Sequence, residues 1–240
     1  MLSVLACLDS CNLTFPDPET ALEEPNGLLA FNGNLRPETL FKAYQQGIFP
    51  WYKEGQPILW WSPNPRSVIY PKEIKISRSL KKIIRNYPWE VRINSAFQSV
   101  VNHCAASRRT SGDGTWINTD MQKSYLDLHL LGFAHSLEIW LENDLVGGLY
   151  GVLVGDVFCG ESMFSLKPNA SKIALVQLAL LMQKFTQEGL IDCQIPNGHL
   201  ASMGSVDLPR KEFLLKLEIL RNNPSFWPSQ WQCIIDLNHT

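Results

Sequence analysis

Apolar residues recur at helical intervals in six segments of the chain. In the first segment, Leu40, Phe41 and Tyr44 follow Pro37, a favourable first-turn residue, and Gly47 can end the helix. A later segment begins at Thr119, which we take as its N-cap. The six predicted helices lie within residues 36–47, 76–86, 94–105, 118–132, 171–189 and 209–220.

Strand patterns occupy the gaps between these helices in the second half of the chain. Residues 135–141, 145–154 and 157–164 are separated by short turns, which predicts an antiparallel meander of three strands. Residues 190–195 predict a further strand, and residues 232–237 a closing one. Helices, a meander, and then helix and strand in alternation are typical of an α+β fold around a mixed sheet.

The first 70 residues have weaker periodicity. Residues 1–35 are rich in turn formers, and residues 47–70 combine three tryptophans with four prolines. We expect this segment to form little regular structure. The sequence therefore predicts a small N-terminal domain over residues 1–70 and a larger mixed-sheet domain over residues 71–240.

Composition narrows the class of protein. Hydrophobic residues make up 45% and charged residues 18% of the 240 residues, which are values of a globular chain with a sizeable core. No run of about 18 apolar residues occurs, and the first eleven residues lack a basic leader, so we expect a cytoplasmic protein with no membrane segment. The six cysteines are scattered without a CxxC pair, which favours reduced thiols and predicts no metal site.

Basic residues are concentrated in one segment, although the net charge is −2. Residues 66–92 hold eight basic and two acidic residues, a local charge of +6. A patch of this size can bind phosphates, and an ordinary solvated helix face produces the same pattern. Charge alone leaves these two interpretations open.

Polar residues interrupt two of the predicted strands. Glu161 alternates with apolar neighbours, and a carboxylate there is costly to bury without a partner. In the strand at 190–195, alternation places Asp192 and Gln194 on one face, about 7 Å apart along the strand. These residues indicate a candidate site, while a solvent-facing side of the strand remains the alternative.

Longer motifs make the chain resemble a known family. The segments GIFPW, WWSP, FCGESMFS and LIDCQIPNGH, in that order, resemble the bacterial leucyl/phenylalanyl-tRNA–protein transferase family, and the likeness extends from about residue 15 to residue 210. The resemblance implies a GNAT-like (acetyltransferase-like) second domain. It also implies transfer of Leu, Phe or Met from aminoacyl-tRNA to proteins that begin with Arg or Lys, within the N-degron pathway.

The resemblance further implies roles for particular residues. Asp192 acts as proton acceptor or orienting group through Gln194, Glu161 receives the charged acceptor end, and Trp51 and Trp116 hold the terminal adenosine of the tRNA. Ser162 belongs to the substrate-binding set. The pocket for the aminoacyl side chain is formed by Leu149, Phe158, Leu175, Leu178, Met182 and Ile191, for which plain core packing is the alternative. The basic segment itself, rather than the resemblance, provides the candidates for contact with the acceptor-stem phosphates: Arg78, Lys81, Lys82 and Arg85.

Two other functions compete with this hypothesis. An acyl-CoA-dependent GNAT acetyltransferase needs a glycine-rich pyrophosphate loop before the long helix, and the corresponding segment here, SLKPNASK, contains no glycine. We therefore expect no CoA and no other cofactor. A noncatalytic RNA-binding protein would not need Glu161, Asp192 and Gln194 for any chemical step.

Overall fold

The computed structural model describes residues 5–10, 14–110, 117–222, 225 and 234–236. The strands are β1 (Ala6–Leu8), β2 (Leu28–Asn32), β3 (Phe49–Pro50), β4 (Leu59–Trp61), β5 (Arg66–Ile69), β6 (Trp89–Ile93), β7 (Ala134–Leu141), β8 (Asp144–Val154), β9 (Val157–Ser165), β10 (Leu190–Gln194), β11 (Val206–Leu208) and β12 (Ile234–Asp236). The helices are α1 (Pro37–Tyr44), α2 (Arg78–Asn86), α3 (Phe97–Thr110), α4 (Thr119–Leu130), α5 (Ala170–Phe185), α6 (Gly198–Ser202) and α7 (Arg210–Asn222).

The first part of the chain builds a sheet of four strands in the order β1-β2-β4-β3. Trp60 of β4 is fully buried, and its indole nitrogen donates to the carbonyl of Asn32 at 2.8 Å. Contrary to expectation, the tryptophan- and proline-rich segment contributes β3 and β4 to this sheet, because Trp60 anchors it in the core.

A second sheet of eight strands has the order β11-β5-β10-β9-β8-β7-β6-β12. Strands β7, β8 and β9 form the predicted antiparallel meander, which is thereby confirmed, and β10 lies parallel to β9. Strands β5, β6 and β11 were not predicted. Strand β5 already belongs to this sheet, and the domain boundary near residue 70 stays a prediction.

The predicted helices are confirmed as α1, α2, α3, α4, α5 and α7, while the short α6 was missed. The N-cap of α4 is Asn118, whose side chain accepts from the amide of Met121 at 2.9 Å, so the assignment of Thr119 as the cap was wrong by one residue. Helices and mixed sheets together confirm the α+β class; its GNAT-like detail stays a prediction.

The core divides between the two faces of the larger sheet. One hydrophobic cluster joins α5 and Leu80 of α2 to one face, and it includes Phe158 and Ile191. The other joins α1, α3, α4, α7 and the smaller sheet to the opposite face, and it includes Cys159. Within the described ranges, we found no helix with the length and apolar character needed to cross a bilayer.

Candidate active site

The candidate site lies where the pairing of β9 with β10 ends. The parallel register runs to the pair Cys159 and Asp192, and both strands become irregular just beyond it. The pairing of β9 with β8 passes from Gly160 to Ser162 and so skips Glu161. Such bulges turn side chains away from the regular alternation, so the face predicted for a residue here does not follow from its number.

A matching irregularity is present in β10. Its register with β5 shifts between Asp192 and Gln194, and Gln194 has a left-handed backbone with φ of 63°. This conformation is uncommon for a residue other than glycine and needs local support. The backbone N–H of Gln194 provides that support by donating to Asp192 Oδ1 at 2.9 Å.

Asp192 is completely buried and is paired with Arg66 of β5. Arg66 Nε donates to Asp192 Oδ1 at 2.7 Å and Arg66 Nη2 donates to Oδ2 at 2.6 Å, a two-bond fork. Arg66 Nη1 donates to the carbonyl of Gly47 at 3.1 Å, and the guanidinium lies 4.9 Å and 4.6 Å from the ring centres of Phe49 and Phe213. Both oxygens of Asp192 are therefore engaged within the protein.

Glu161 is the second buried carboxylate, and it is held by neutral partners. Gln194 Nε2 donates to Glu161 Oε1 at 2.6 Å, and the Tyr125 hydroxyl donates to Oε2 at 2.6 Å. The hydroxyls of Tyr125 and Tyr44 are also 2.6 Å apart. Gln194 thus connects the two carboxylates, since its backbone contacts Asp192 and its side chain contacts Glu161.

Burial decides the protonation behaviour of this group. Loss of hydration raises the pKa of Glu161 to about 7, although the hydrogen bonds from Tyr125 and Gln194 and the neighbouring Tyr44 hydroxyl lower it. Burial also raises the pKa values of Tyr44 and Tyr125 well above their usual range, so both hydroxyls keep their protons. A carboxyl group with a pKa near neutrality in a chemical site can accept or release a proton at physiological pH.

Ser162, also predicted to bind substrate, follows Glu161 in β9. Its side-chain oxygen is buried, and among the described residues no hydrogen-bond partner reaches it. A buried hydroxyl in this state can donate to a bound molecule. The substrate-binding role of Ser162 stays a prediction.

The six residues predicted to form the aminoacyl pocket are all buried in one cluster, on the α5 face of the sheet. They are Leu149, Phe158, Leu175, Leu178, Met182 and Ile191. Asp192 and Cys159 lie at the same level of the sheet but belong with the opposite face. At Gly160, an added methyl group would meet the carbonyl oxygen of Asp192 at 3.5 Å, an ordinary van der Waals contact.

Trp51 presents a partly exposed ring at the end of β3, with 40% of its surface accessible. Its amide donates to the carbonyl of Leu59 at 2.9 Å, and its carbonyl accepts from Trp61 Nε1 at 2.6 Å. The rings of Trp51 and Trp61 meet edge to face at 5.5 Å. The ring of Trp51 is therefore held in place while one side stays open to a ligand. Trp116, its predicted partner, lies outside the described residues.

The four predicted phosphate-binding residues lie on the exposed side of α2. This helix turns Leu80 toward the core. The exposed set consists of Arg78, Lys81, Lys82 and Arg85. A row of exposed basic side chains along two turns of helix suits the backbone of a nucleic acid.

Three residues of the site escaped the sequence interpretation: Arg66, Tyr44 and Tyr125. Arg66 was counted only as part of the basic segment, although it precedes the apolar residues of β5. Tyr44 and Tyr125 occupy core positions of α1 and α4. A signal was available for each of them, because a charged or hydroxyl group at a core position requires a buried partner.

Comparison with known proteins identifies the family to which this chain belongs. The family model described as leucyl/phenylalanyl-tRNA protein transferase matches residues 68–218, and the model of that family's N-terminal domain matches residues 33–64, which confirms a separate small N-terminal domain. The chain belongs to the leucyl/phenylalanyl-tRNA protein transferase family. Transferases of that name from Yersinia pestis (strain Pestoides F) and Yersinia pseudotuberculosis (serotype O:1b, strain IP 31758) are each 54% identical to it over 219 residues, which cover 90% of this chain and 90% of each relative.

Proposed function

We propose that this chain transfers a leucyl or phenylalanyl group from its tRNA to the α-amino group of a protein, with formation of a peptide bond. The observation that carries the proposal is the linked set of Asp192, Gln194 and Glu161 at the end of the β9–β10 pairing, directly across the sheet from a cluster of apolar side chains. An aminoacyl ester is already activated. The enzyme therefore needs mainly to hold ester and amine in attack geometry, which can supply roughly 7–11 kcal/mol of the barrier.

The polar residues then serve the attacking amine. A neutral α-amino group attacks the ester carbonyl, the bond to the ribose oxygen breaks, and that oxygen leaves with a proton while the amine loses one. Gln194 Oε1 accepts a hydrogen bond from the amine. Asp192 acts as an orienting group, because its oxygens are occupied by Arg66 and the Gln194 amide. Glu161 receives the positive charge of the acceptor end or its proton.

The apolar cluster receives the aminoacyl side chain. Leu, Phe and Met are all unbranched at Cβ, and the predicted pocket offers only apolar walls. The pairing of β9 with β10 ends at Cys159 and Asp192, so the two strands are not paired beyond that level. In this proposal, an ester held on the polar face sends its side chain between the unpaired strand ends, toward α5.

The tRNA is held outside this centre. Trp51, together with Trp116, stacks against the terminal adenosine, a contact worth roughly 1–3 kcal/mol per base. The basic side chains of α2 bind acceptor-stem phosphates. Recognition by backbone and shape suits an enzyme that accepts more than one tRNA.

The acceptor is a protein with N-terminal Arg or Lys, which places the reaction in the N-degron pathway and in the cytoplasm, where charged tRNA is available. The negative charge of ionised Glu161 favours a cationic acceptor end. The competing acetyltransferase function has less support, since the segment before α5 contains no glycine.

The decisive assay supplies radiolabelled Phe-tRNA and a peptide that begins with Arg, in parallel with labelled acetyl-CoA. We expect label to appear on the peptide from Phe-tRNA and not from acetyl-CoA. Asp192→Ala should lower kcat strongly, whereas Trp51→Ala should chiefly weaken tRNA binding. Transfer from acetyl-CoA would support the acetyltransferase, and tight tRNA binding without transfer would support a noncatalytic RNA-binding protein.

A further inference from the structure

We propose that Tyr125 and Tyr44 are positioning residues that fix the orientation of the Gln194 side-chain amide through Glu161. The inference rests on the proposed function and concerns the same site. It assigns a role to helices α1 and α4, which carry these tyrosines and pack on the face of the larger sheet opposite α5. Neither tyrosine needs to touch a substrate for this role.

The argument starts from the number of protons available. A tyrosine hydroxyl has one proton to donate, and Tyr125 donates it to Glu161 Oε2. The contact between the two hydroxyls must therefore use the proton of Tyr44, so the chain of donors runs from Tyr44 to Tyr125 to Glu161. Both tyrosines are buried, and neither ionises near neutral pH.

The remaining oxygen of Glu161 decides how Gln194 is turned. When Glu161 is ionised, its Oε1 accepts a hydrogen bond from Gln194 Nε2 at 2.6 Å. The carbonyl oxygen of the Gln194 side chain then points away from Glu161. This free Oε1 is an acceptor, which the attacking amine requires. A protonated Glu161 can instead donate to Gln194 Oε1, and the amide would then turn two N–H groups toward the amine.

The tyrosines favour the ionised form of Glu161 and hence the useful orientation of the amide. The backbone of Gln194 has separate support, because its amide donates to Asp192 Oδ1, which Arg66 holds. Removal of a tyrosine hydroxyl should therefore disturb the side-chain amide and leave the strand in place. The titratable and charged groups that face Glu161 are Tyr44 from α1, Tyr125 from α4, Asp192 from β10, Arg66 from β5 and Cys159 from β9.

The test compares Tyr125→Phe and Tyr44→Phe with Tyr70→Phe, a half-buried tyrosine outside this chain of hydrogen bonds. For each variant we would measure kcat and the KM for Phe-tRNA between pH 6 and 9, using an Arg-initiated peptide. We expect Tyr125→Phe to move the acidic limb of the profile about one unit higher, because one lost hydrogen bond to a charged group corresponds to about one pKa unit. At pH 7, kcat should therefore fall by about fivefold. The KM for the tRNA should not change, and raising the pH should restore most of the activity.

Tyr44→Phe should give a smaller shift in the same direction, and Tyr70→Phe none. The α-amino group of the peptide titrates near pH 7.7–8 in every variant. A difference between the pH profiles of two variants therefore comes from a group of the enzyme. Equal loss of kcat at all pH values, with no shift of the limb, would overturn the positioning role and leave a structural one. Inactivity of the wild-type chain with charged tRNA would instead reject the proposed function itself.

A second variant keeps the inference testable if Tyr125→Phe folds poorly. A glutamine at position 161 cannot ionise. The pH profile of Glu161→Gln should therefore lack the titration that Tyr125→Phe shifts. Addition of Tyr44→Phe to Glu161→Gln should then cause no further shift. A further shift in that double variant would show that Tyr44 acts through a group other than Glu161.

Discussion

The two faces of the larger sheet differ sharply at the level of β9 and β10. Under α5, the sheet carries a continuous apolar cluster in which every predicted pocket residue is buried. On the opposite face, at the same level, two carboxylates and an arginine are buried and connected by short hydrogen bonds. A single sheet thus separates a region defined by shape from a region defined by charge.

On the charged face, the two buried carboxylates are stabilised in different ways. Asp192 is compensated by the full charge of Arg66, while Glu161 has only neutral donors and a pKa raised to about 7. A carboxylate that is paired with a full positive charge serves as a fixed anchor. An uncompensated one can change its protonation state near neutral pH, which suits chemistry better than anchoring.

The largest effect is expected when the positive charge of Arg66, which compensates Asp192, is removed. Arg66→Met leaves the Asp192 carboxylate buried and unpaired, so we expect the free energy of unfolding to fall by about 3–5 kcal/mol in denaturant titrations. The matched control is Arg92→Met, whose partner Glu90 is solvent-accessible, and it should cost about 1 kcal/mol or less. The double variant Arg66→Met with Asp192→Asn should recover part of the loss. Equal effects of the two single variants would contradict the assigned role of the buried pair.

On the apolar face, loss of volume should matter more than loss of charge. Leu178→Ala creates a cavity next to the predicted pocket and should cost about 2–5 kcal/mol of unfolding free energy. If Leu178 lines the pocket, kcat/KM should also shift in favour of Phe over Leu, because the larger side chain fills the space. Leu180→Ala on the same helix, at a half-buried position, is the control and should leave this ratio unchanged.

The pH dependence of stability distinguishes the two carboxylates. Between pH 4.5 and 7, folded Glu161 keeps a proton that the unfolded chain has released, so the free energy of unfolding should fall as the pH rises through this window, by up to about 1.4 kcal/mol per pH unit. Glu161→Gln should remove this component. Glu212→Gln, at an exposed position of α7, should not. Parallel wild-type and Glu161→Gln curves in denaturant titrations would count against the raised pKa.

The smallest expected effect comes from charge outside both faces. Lys81→Glu with Lys82→Glu on exposed α2 should reduce tRNA affinity about tenfold or more and lower the slope of log affinity against log salt, with little change in kcat. Binding measured at several salt concentrations provides the check. The control is Lys216→Glu on α7, which should leave the slope unchanged; an unchanged slope in the α2 variant would place the phosphate site elsewhere.

Much of the fold could be predicted from local pattern. The spacing of Leu40, Phe41 and Tyr44 predicted α1, and alternation with turn residues predicted β7, β8 and β9, since these signals depend on near neighbours in the chain. The short strands β5, β6 and β11 and the helix α6 were missed because they depend on tertiary partners. The tryptophan- and proline-rich segment was underestimated for the same reason: Trp60 becomes a core residue only when Asn32 and Phe15 surround it.

For the site, the sequence by itself determined which chemical groups were available: two carboxylates and an amide in adjacent strands, and an apolar helix beside them. Only the tertiary structure decided which of these groups meet. The bulges at Glu161 and Gln194 override strand alternation, and Arg66, 126 residues from Asp192, fixes one carboxylate while Tyr125 holds the other. The physical reason is that electrostatic pairing and burial depend on distance in space, which a linear pattern of residues does not contain.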